Sequence, residues 1–137
     1  MRKISEVMTR QVQVARPEDT LQSAARMMAD QDIGSLPVCD GTRLLGMITD
    51  RDITVRAVVN GKTPHGPVHE VMSADLCWCS VDDTTKEVLE KMGERQIRRM
   101  PVIDADRNLV GIVALGDLAL EDEDKVDEAL HDISMPA

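Results

Sequence analysis

Thr49 and Asp52, three apart in "GMITDRDI", stand where an apolar strand pattern gives way to a helical one. A helix N-terminus presents N–H groups without intrahelical acceptors and a partial positive charge, which suits a phosphate or another polar ligand. Asp52, in the first turn, has the lone pairs to accept both hydroxyls of a ribose diol, and Thr49 could bond the ribose or the phosphate. Thr-x-x-Asp is also a capping pattern, and acids are enriched in first turns for dipole reasons alone. Taken alone, the tetrapeptide leaves recognition and capping both open. Arg51, between the two, could reach a phosphate or be a helix-surface residue.

Arg98 and Arg99 in "QIRRMPV" are two adjacent guanidinium forks entering a strand. Such forks suit phosphate oxygens, and here they oppose a net charge of −9. Pairing with surface carboxylates such as Glu94 or Asp104 is the alternative. Cys77-Trp78-Cys79 on a strand would put both thiols on one face and Trp78 on the other. Trp78 is expected in the core and the thiols on the more open face. Their spacing matches no common zinc pattern, even with His65 and His69 as supplements, so no metal site is expected. A redox role would rest on thiol exposure. Cys39 in "LPVCD" is expected to pack as a small hydrophobe. The chain shows no nucleophile elbow, phosphate-cradling glycine loop or triad, and it is not expected to be an enzyme.

The elements that position these residues are written twice. "VMTRQVQV…" from Val7 and "VMSADLCW…" from Val71 share an Asp-Thr before a helix, Met28 and Met92, and Ile33 and Ile97. They also share Leu36-Pro37-Val38 and Met100-Pro101-Val102, and a closing Asp-Ile or Asp-Leu, at an offset of about 64 residues. That period fits a small duplicated domain. Each copy predicts a short strand (Val12–Ala15; Leu76–Val81), then a helix with apolar steps of three and four. Thr20 and Thr84 are its N-caps, with Glu87 completing a capping box. A hairpin and a second helix follow, the first copy's running from Asp50 to about Val59 and ending at "NG". The order is β-α-β-β-α, twice. Residues 1–62 and 63–120 are the expected domains, with "NGKTPHGPVHE" a linker rather than a buried element. Residues 121–137 form an acidic tail. Leu120, Val126, Ala129, Leu130 and Ile133 could make a weak amphipathic helix, but a solvated or frayed tail is the expectation.

Composition bounds the function. The chain has 137 residues, 42% hydrophobic and 30% charged, which fits a folded protein that buries roughly two-thirds of its unfolded surface. No apolar run approaches the ~20 residues of a bilayer span, and the N-terminus shows no signal-peptide pattern, so a cytoplasmic location is expected. The acidic balance disfavours nucleic acid and anionic membrane. Trp78 is the only aromatic, which leaves no base-stacking platform.

The duplicated order, with "IGSLPV…GMITDRDI" and "IRRMPVID…LVGIVALGDL", resembles the cystathionine-β-synthase-type (CBS) domain, paired as a Bateman module. The likeness spans about residues 4 to 120 and is strongest to short bacterial proteins made of one CBS pair. It implies two α/β units packed sheet to sheet with pseudo-two-fold symmetry, a homodimer, and a cleft for an adenosine-containing ligand, commonly AMP, ADP or ATP. It further implies that Thr49 and Asp52 share a site with Arg98 and Arg99, with adenine near Leu76 and Cys77 and Met47 opposite. The second site would use Ala114, Asp117, Gly34, Ser35 and Val12, lacking the hydroxyl and both positive charges. A regulatory ligand sensor acting on an effector protein or on its own oligomer is the reading this supports. A constitutive interaction or stress-response scaffold with empty clefts, or a thiol sensor, is the alternative.

Overall fold

The computed structural model describes residues 2–74, 77–118 and 123–134, and the backbone only of 123–128. Two compact units divide the chain: residues 13–76 form a first unit, and residues 1–12 with 77–137 form a second. Each contains one copy of the expected α/β pattern.

In the first unit, Thr20 caps α1 (Leu21–Gln31) by accepting from the Ser23 N–H at 3.0 Å. Leu21, Ala24 and Met28, spaced by three and four, are the buried stripe of α1. The helix stops at Asp32, which takes the left-handed conformation with φ 53°. β1 (Ser35–Asp40) and β2 (Arg43–Thr49) make the antiparallel hairpin, turning through Gly41 at φ +60°. α2 begins at Asp50–Asp52 and continues as a π-helix over Ile53–Val58, closed by Gly61.

The second unit repeats this. Thr84 caps α3 (Thr85–Arg95) by accepting from the Glu87 N–H at 3.2 Å, while the Glu87 carboxylate takes the Thr84 hydroxyl at 3.1 Å. β3 (Cys79–Ser80) runs parallel to β4 (Arg99–Ile103), which pairs antiparallel with β5 (Leu109–Ala114). The hairpins bulge at matching places, after Val38 and after Val102. α4 (Glu123–Ser134) lies beyond a 3-10 turn at Leu115–Leu118.

The segment ahead of each sequence copy completes the other copy's unit. Ile4, in a 3-10 turn, is fully buried in the second unit's core, and Val68, in the matching turn, is fully buried in the first unit's. The N–H of Thr85 donates to Arg2 O at 3.0 Å and that of Leu21 to Gly66 O at 2.9 Å. These straps thus satisfy first-turn donors that α3 and α1 cannot pair themselves. Farther on, Thr9 and Ile112 exchange two backbone hydrogen bonds, as do Ser73 and Met47. The approach is close enough that a Cβ on Gly46 would stand 2.6 Å from Ser73 O, and one on Gly111 2.9 Å from Thr9 O.

Several expectations are corrected. "NGKTPHGPVHE" is not a free linker: it carries Val68 into the core, and its Pro64 and Gly66 carbonyls hold the start of α1. The first strand of the first copy is a single parallel bridge, Ala15 to Val38. In the second copy it is the two residues of β3, Leu76 lying outside the described residues. The acidic tail, expected to be solvated, is helical over Glu123–Ser134, with Ala129 buried and Leu130 and Ile133 packed on the second core. α4 passes over Gly93, where a Cβ would make ordinary contact with the Ala129 Cα at 3.5 Å and stand 2.9 Å from Asp132 Oδ2. Leu120 lies outside the described residues, as does the Val126 side chain.

Candidate functional site: two strand-to-helix corners

At the end of β2, Thr49 and Asp52 form a reciprocal capping box. The Asp52 N–H donates to Thr49 Oγ1 at 2.9 Å, and the Thr49 N–H donates to Asp52 Oδ2 at 3.0 Å. Capping is thus realised, and it leaves chemistry over. The Thr49 hydroxyl accepts in this box, so its own proton remains available to donate. Asp52 Oδ1 faces Arg56 Nε at 3.8 Å, and the carboxylate is 17% exposed. Arg56 in turn reaches the carbonyls of Val71 and Met72, each at 3.4 Å, tying the corner to the strap. Gly34 and Ser35 border the corner: Asp50 N donates to Gly34 O at 3.0 Å, and Ser35 pairs with Thr49. Met47, two residues back, is half-buried opposite Pro37, and Arg51 is exposed.

The second corner keeps half of this. The Ala114 N–H donates to Asp117 Oδ2 at 2.9 Å, with no hydroxyl to return the bond, and Asp117 is exposed. Arg98 and Arg99 border it as Gly34 and Ser35 border the first. Leu115 N donates to Arg98 O at 2.8 Å, and Arg99 pairs with Ala114. Neither arginine forms an ion pair among the described residues, so the alternative pairing with Glu94 or Asp104 is not made. Asp104 instead takes the N–H groups of Asp106 and Asn108, each at 2.9 Å, and the Asn108 bond leads in holding its carboxyl below the usual range. Arg99 Nε is buried without an acceptor.

Within units, the structure brings Thr49 and Asp52 together with Gly34 and Ser35, and Ala114 and Asp117 together with Arg98 and Arg99. Val12 is half-buried at the end of the second unit's first segment.

The thiol expectation is overturned for Cys79. It is fully buried, with Sγ 3.7 Å from Pro101 O, and burial first, then the nearby Asp83 charge, pushes its pKa up to about 12. Trp78 is the exposed residue, at 39%, with Lys91 Nζ 5.8 Å from its ring centroid. Val12 and Val14 are likewise only half-buried, while Ala15, aligned with Cys79, is buried. The signal that could have found this lies across the sheet: Ala15 and Cys79 pair with Val38 and Val102, fully buried positions of the two hairpins. Cys39 is buried as expected, its thiol raised to about 11 by burial, and Cys77 is half-buried. Among the described residues no cluster of three or more His, Cys, Asp and Glu could hold a metal, and no helix is long and apolar enough to cross a membrane.

The CBS domain model matches residues 4–58 and 68–124. The CBS domain-containing protein YhcV of Bacillus subtilis is 42% identical over 120 residues, covering 88% of this chain and 85% of that one. The crystal structure of Hypoxic Response Protein I with two coordinated zinc ions is 36% identical with a TM-score of 0.79, covering 88% of this chain and 98% of that one. The CBS domain pair of protein MJ0100, in complex with 5′-methylthioadenosine and S-adenosyl-L-methionine, is 26% identical with a TM-score of 0.75, covering 87% and 98%. With two matching corners, two matching hairpins and both copies matched, the chain belongs to the CBS domain family and carries a CBS pair.

Proposed function

We propose that this CBS pair is a regulatory module, not an enzyme, that binds an adenosine-containing ligand of the AMP, ADP or ATP class. In this reading Asp52 takes the ribose diol and the Thr49 hydroxyl donates to ribose or phosphate. Arg98 and Arg99 offset the phosphate charge. Met47, Arg51, Leu76 and Cys77 line the same ligand, and the Ala114–Asp117 corner with Val12, Gly34 and Ser35 is the weaker site. The observation that carries the reading is Arg99 Nε, buried and without an acceptor, in a chain with carboxylates to spare. A buried guanidinium N–H without an acceptor is costly, and a phosphate oxygen is its natural complement. Methylthioadenosine and S-adenosylmethionine on the MJ0100 pair support the adenosine class. A ligand shifts such a module only through its differential affinity for two arrangements, so the output is a change in a homodimer or in an effector protein, in the cytoplasm.

The test is a thermal-shift series with AMP, ADP, ATP, NAD and S-adenosylmethionine on wild type and Asp52→Ala. Wild type should gain stability with at least one of the first three, as binding to the native state requires, and the variant should not. No shift with any of the five at millimolar concentration overturns the proposal and favours a scaffold with empty clefts.

A further inference from the structure

The two corners differ in one more partner. Asp52 Oδ2 takes the Thr49 N–H at 3.0 Å and Oδ1 faces Arg56 Nε at 3.8 Å, so this carboxylate is engaged at both oxygens. Asp117 accepts the Ala114 N–H through Oδ2, and no cation pairs with it among the described residues. The residue types differ in step: four beyond Asp52 stands Arg56, and four beyond Asp117 stands Glu121. The backbone differs too. After the first corner it runs as a π-helix over Ile53–Val58, a form that recurs at functional sites, and after the second as a 3-10 turn over Leu115–Leu118.

Arg56 does not depend on Asp52 for its place. Its Nη1 donates to the carbonyls of Val71 and Met72, each at 3.4 Å. Those carbonyls belong to the strap, whose next residue, Ser73, exchanges two backbone hydrogen bonds with Met47 of β2. The guanidinium is thus braced against the strand that carries Thr49. An ion pair this long, with the arginine side chain 54% exposed, adds little to stability. Its effect on orientation is larger. The carboxylate torsion of an aspartate is broad, so one held at a single oxygen still swings, whereas one held at both has a fixed plane.

We propose that Arg56 is a positioning residue that makes the first corner selective for an intact ribose diol. The inference rests on the ligand reading and adds to it what sets Asp52 apart from Asp117. Two neighbouring hydroxyls need acceptors in set directions, and a carboxylate of fixed plane supplies them. A swinging carboxylate re-aims at whichever hydroxyl is present, and so discriminates less against a sugar that lacks one. Arg56 acts through Asp52 and bonds no ligand atom.

The probes are AMP, ADP and ATP, their 2′-deoxy counterparts, and adenosine, titrated calorimetrically into the full chain as wild type and as Arg56→Gln. Wild type should prefer each ribonucleotide it binds over the 2′-deoxy form by about tenfold, the scale of a hydrogen bond to a charged group. In Arg56→Gln the preference should fall below about threefold. The preference for AMP over adenosine, which reports the phosphate, should stay the same in both proteins. The ligand-free Tm of the variant should drop by less than about 2 °C, as the loss of an exposed ion pair implies. An unchanged ribose preference in Arg56→Gln, an equal loss of affinity for every probe, or a larger drop in Tm would overturn the inference and leave the ligand reading standing. Wild type that binds ribo- and deoxynucleotides equally overturns it together with the ribose role of Asp52, and wild type that binds none of the probes overturns both the inference and the ligand reading.

Discussion

At the corner after β2 the cap closes twice, hydroxyl to N–H and N–H to carboxylate; after β5 it closes once, through Asp117 alone. The backbone turns at both corners, so one carboxylate is enough to hold the bend, and the Thr49 hydroxyl is an addition rather than a necessity. Capping and recognition are therefore not rival readings of Thr-x-x-Asp. The cap orients the carboxylate, and the oxygen it leaves over, together with the hydroxyl proton, is what a ligand can use. The reverse asymmetry sits across each hairpin, where Gly34 and Ser35 border the rich corner and two arginines border the poor one.

The equivalence of the two units is tested hardest in their cores. Leu36 and Met100 occupy the same place, both fully buried, and truncating either to Ala should cost about 2–5 kcal/mol in urea unfolding. A cost below 1 kcal/mol at one of them would show that the units do not share one packing scheme. The corners should differ more subtly. Asp52→Ala removes the Thr49 N–H acceptor and the Arg56 ion pair, so it should cost about 1–2 kcal/mol, against about 0.5–1 for Asp117→Ala. Equal costs would remove the distinction. Thr49→Ala should make the first corner resemble the second for about 1 kcal/mol, and Ala114→Thr should recover a few tenths in the other direction. The two cores also differ in pH response. Cys39 and Cys79 have thiols raised to about 11 and about 12 from an ordinary 9, so unfolding releases protons above pH 9. Stability from these groups is full below pH 9 and falls as pH rises toward 12. Cys79→Ala should flatten the decline in Tm between pH 9 and 10.5, and a thiol reagent at pH 8 should leave Cys39 and Cys79 unmodified while the protein stays folded.

The parts of this fold that local chemistry decides were legible in the residues. Thr20 and Thr84 cap where their side chains predict, and the two Pro-Val strands pair with the two Gly-containing ones. What depends on a distant partner was not. Ala15 and Cys79 are buried because each meets one hairpin residue in parallel, and one or two paired residues are too few to show a period of two. Val68 looks like one apolar residue in a Gly-Pro loop until α1 is there to receive it. α4 looks too polar to dock until the second core is there to receive Ala129, Leu130 and Ile133. The corner residues could be named because their roles follow from a three-residue spacing. Arg99 could be singled out as a candidate from its place beside Arg98, but its buried Nε follows only from the packing around β4.

The straps carry one more consequence. A fragment ending at Gly61 would keep residues 2–9, made for its absent twin, and would lack residues 66–73, which finish its own flank. Residues 13–76, by contrast, hold α1, both hairpin strands, α2 and the strap that finishes them. The boundary of the repeat and the boundary of the folded unit are thus out of step, and cutting at the first would leave a flank open that cutting at the second would keep.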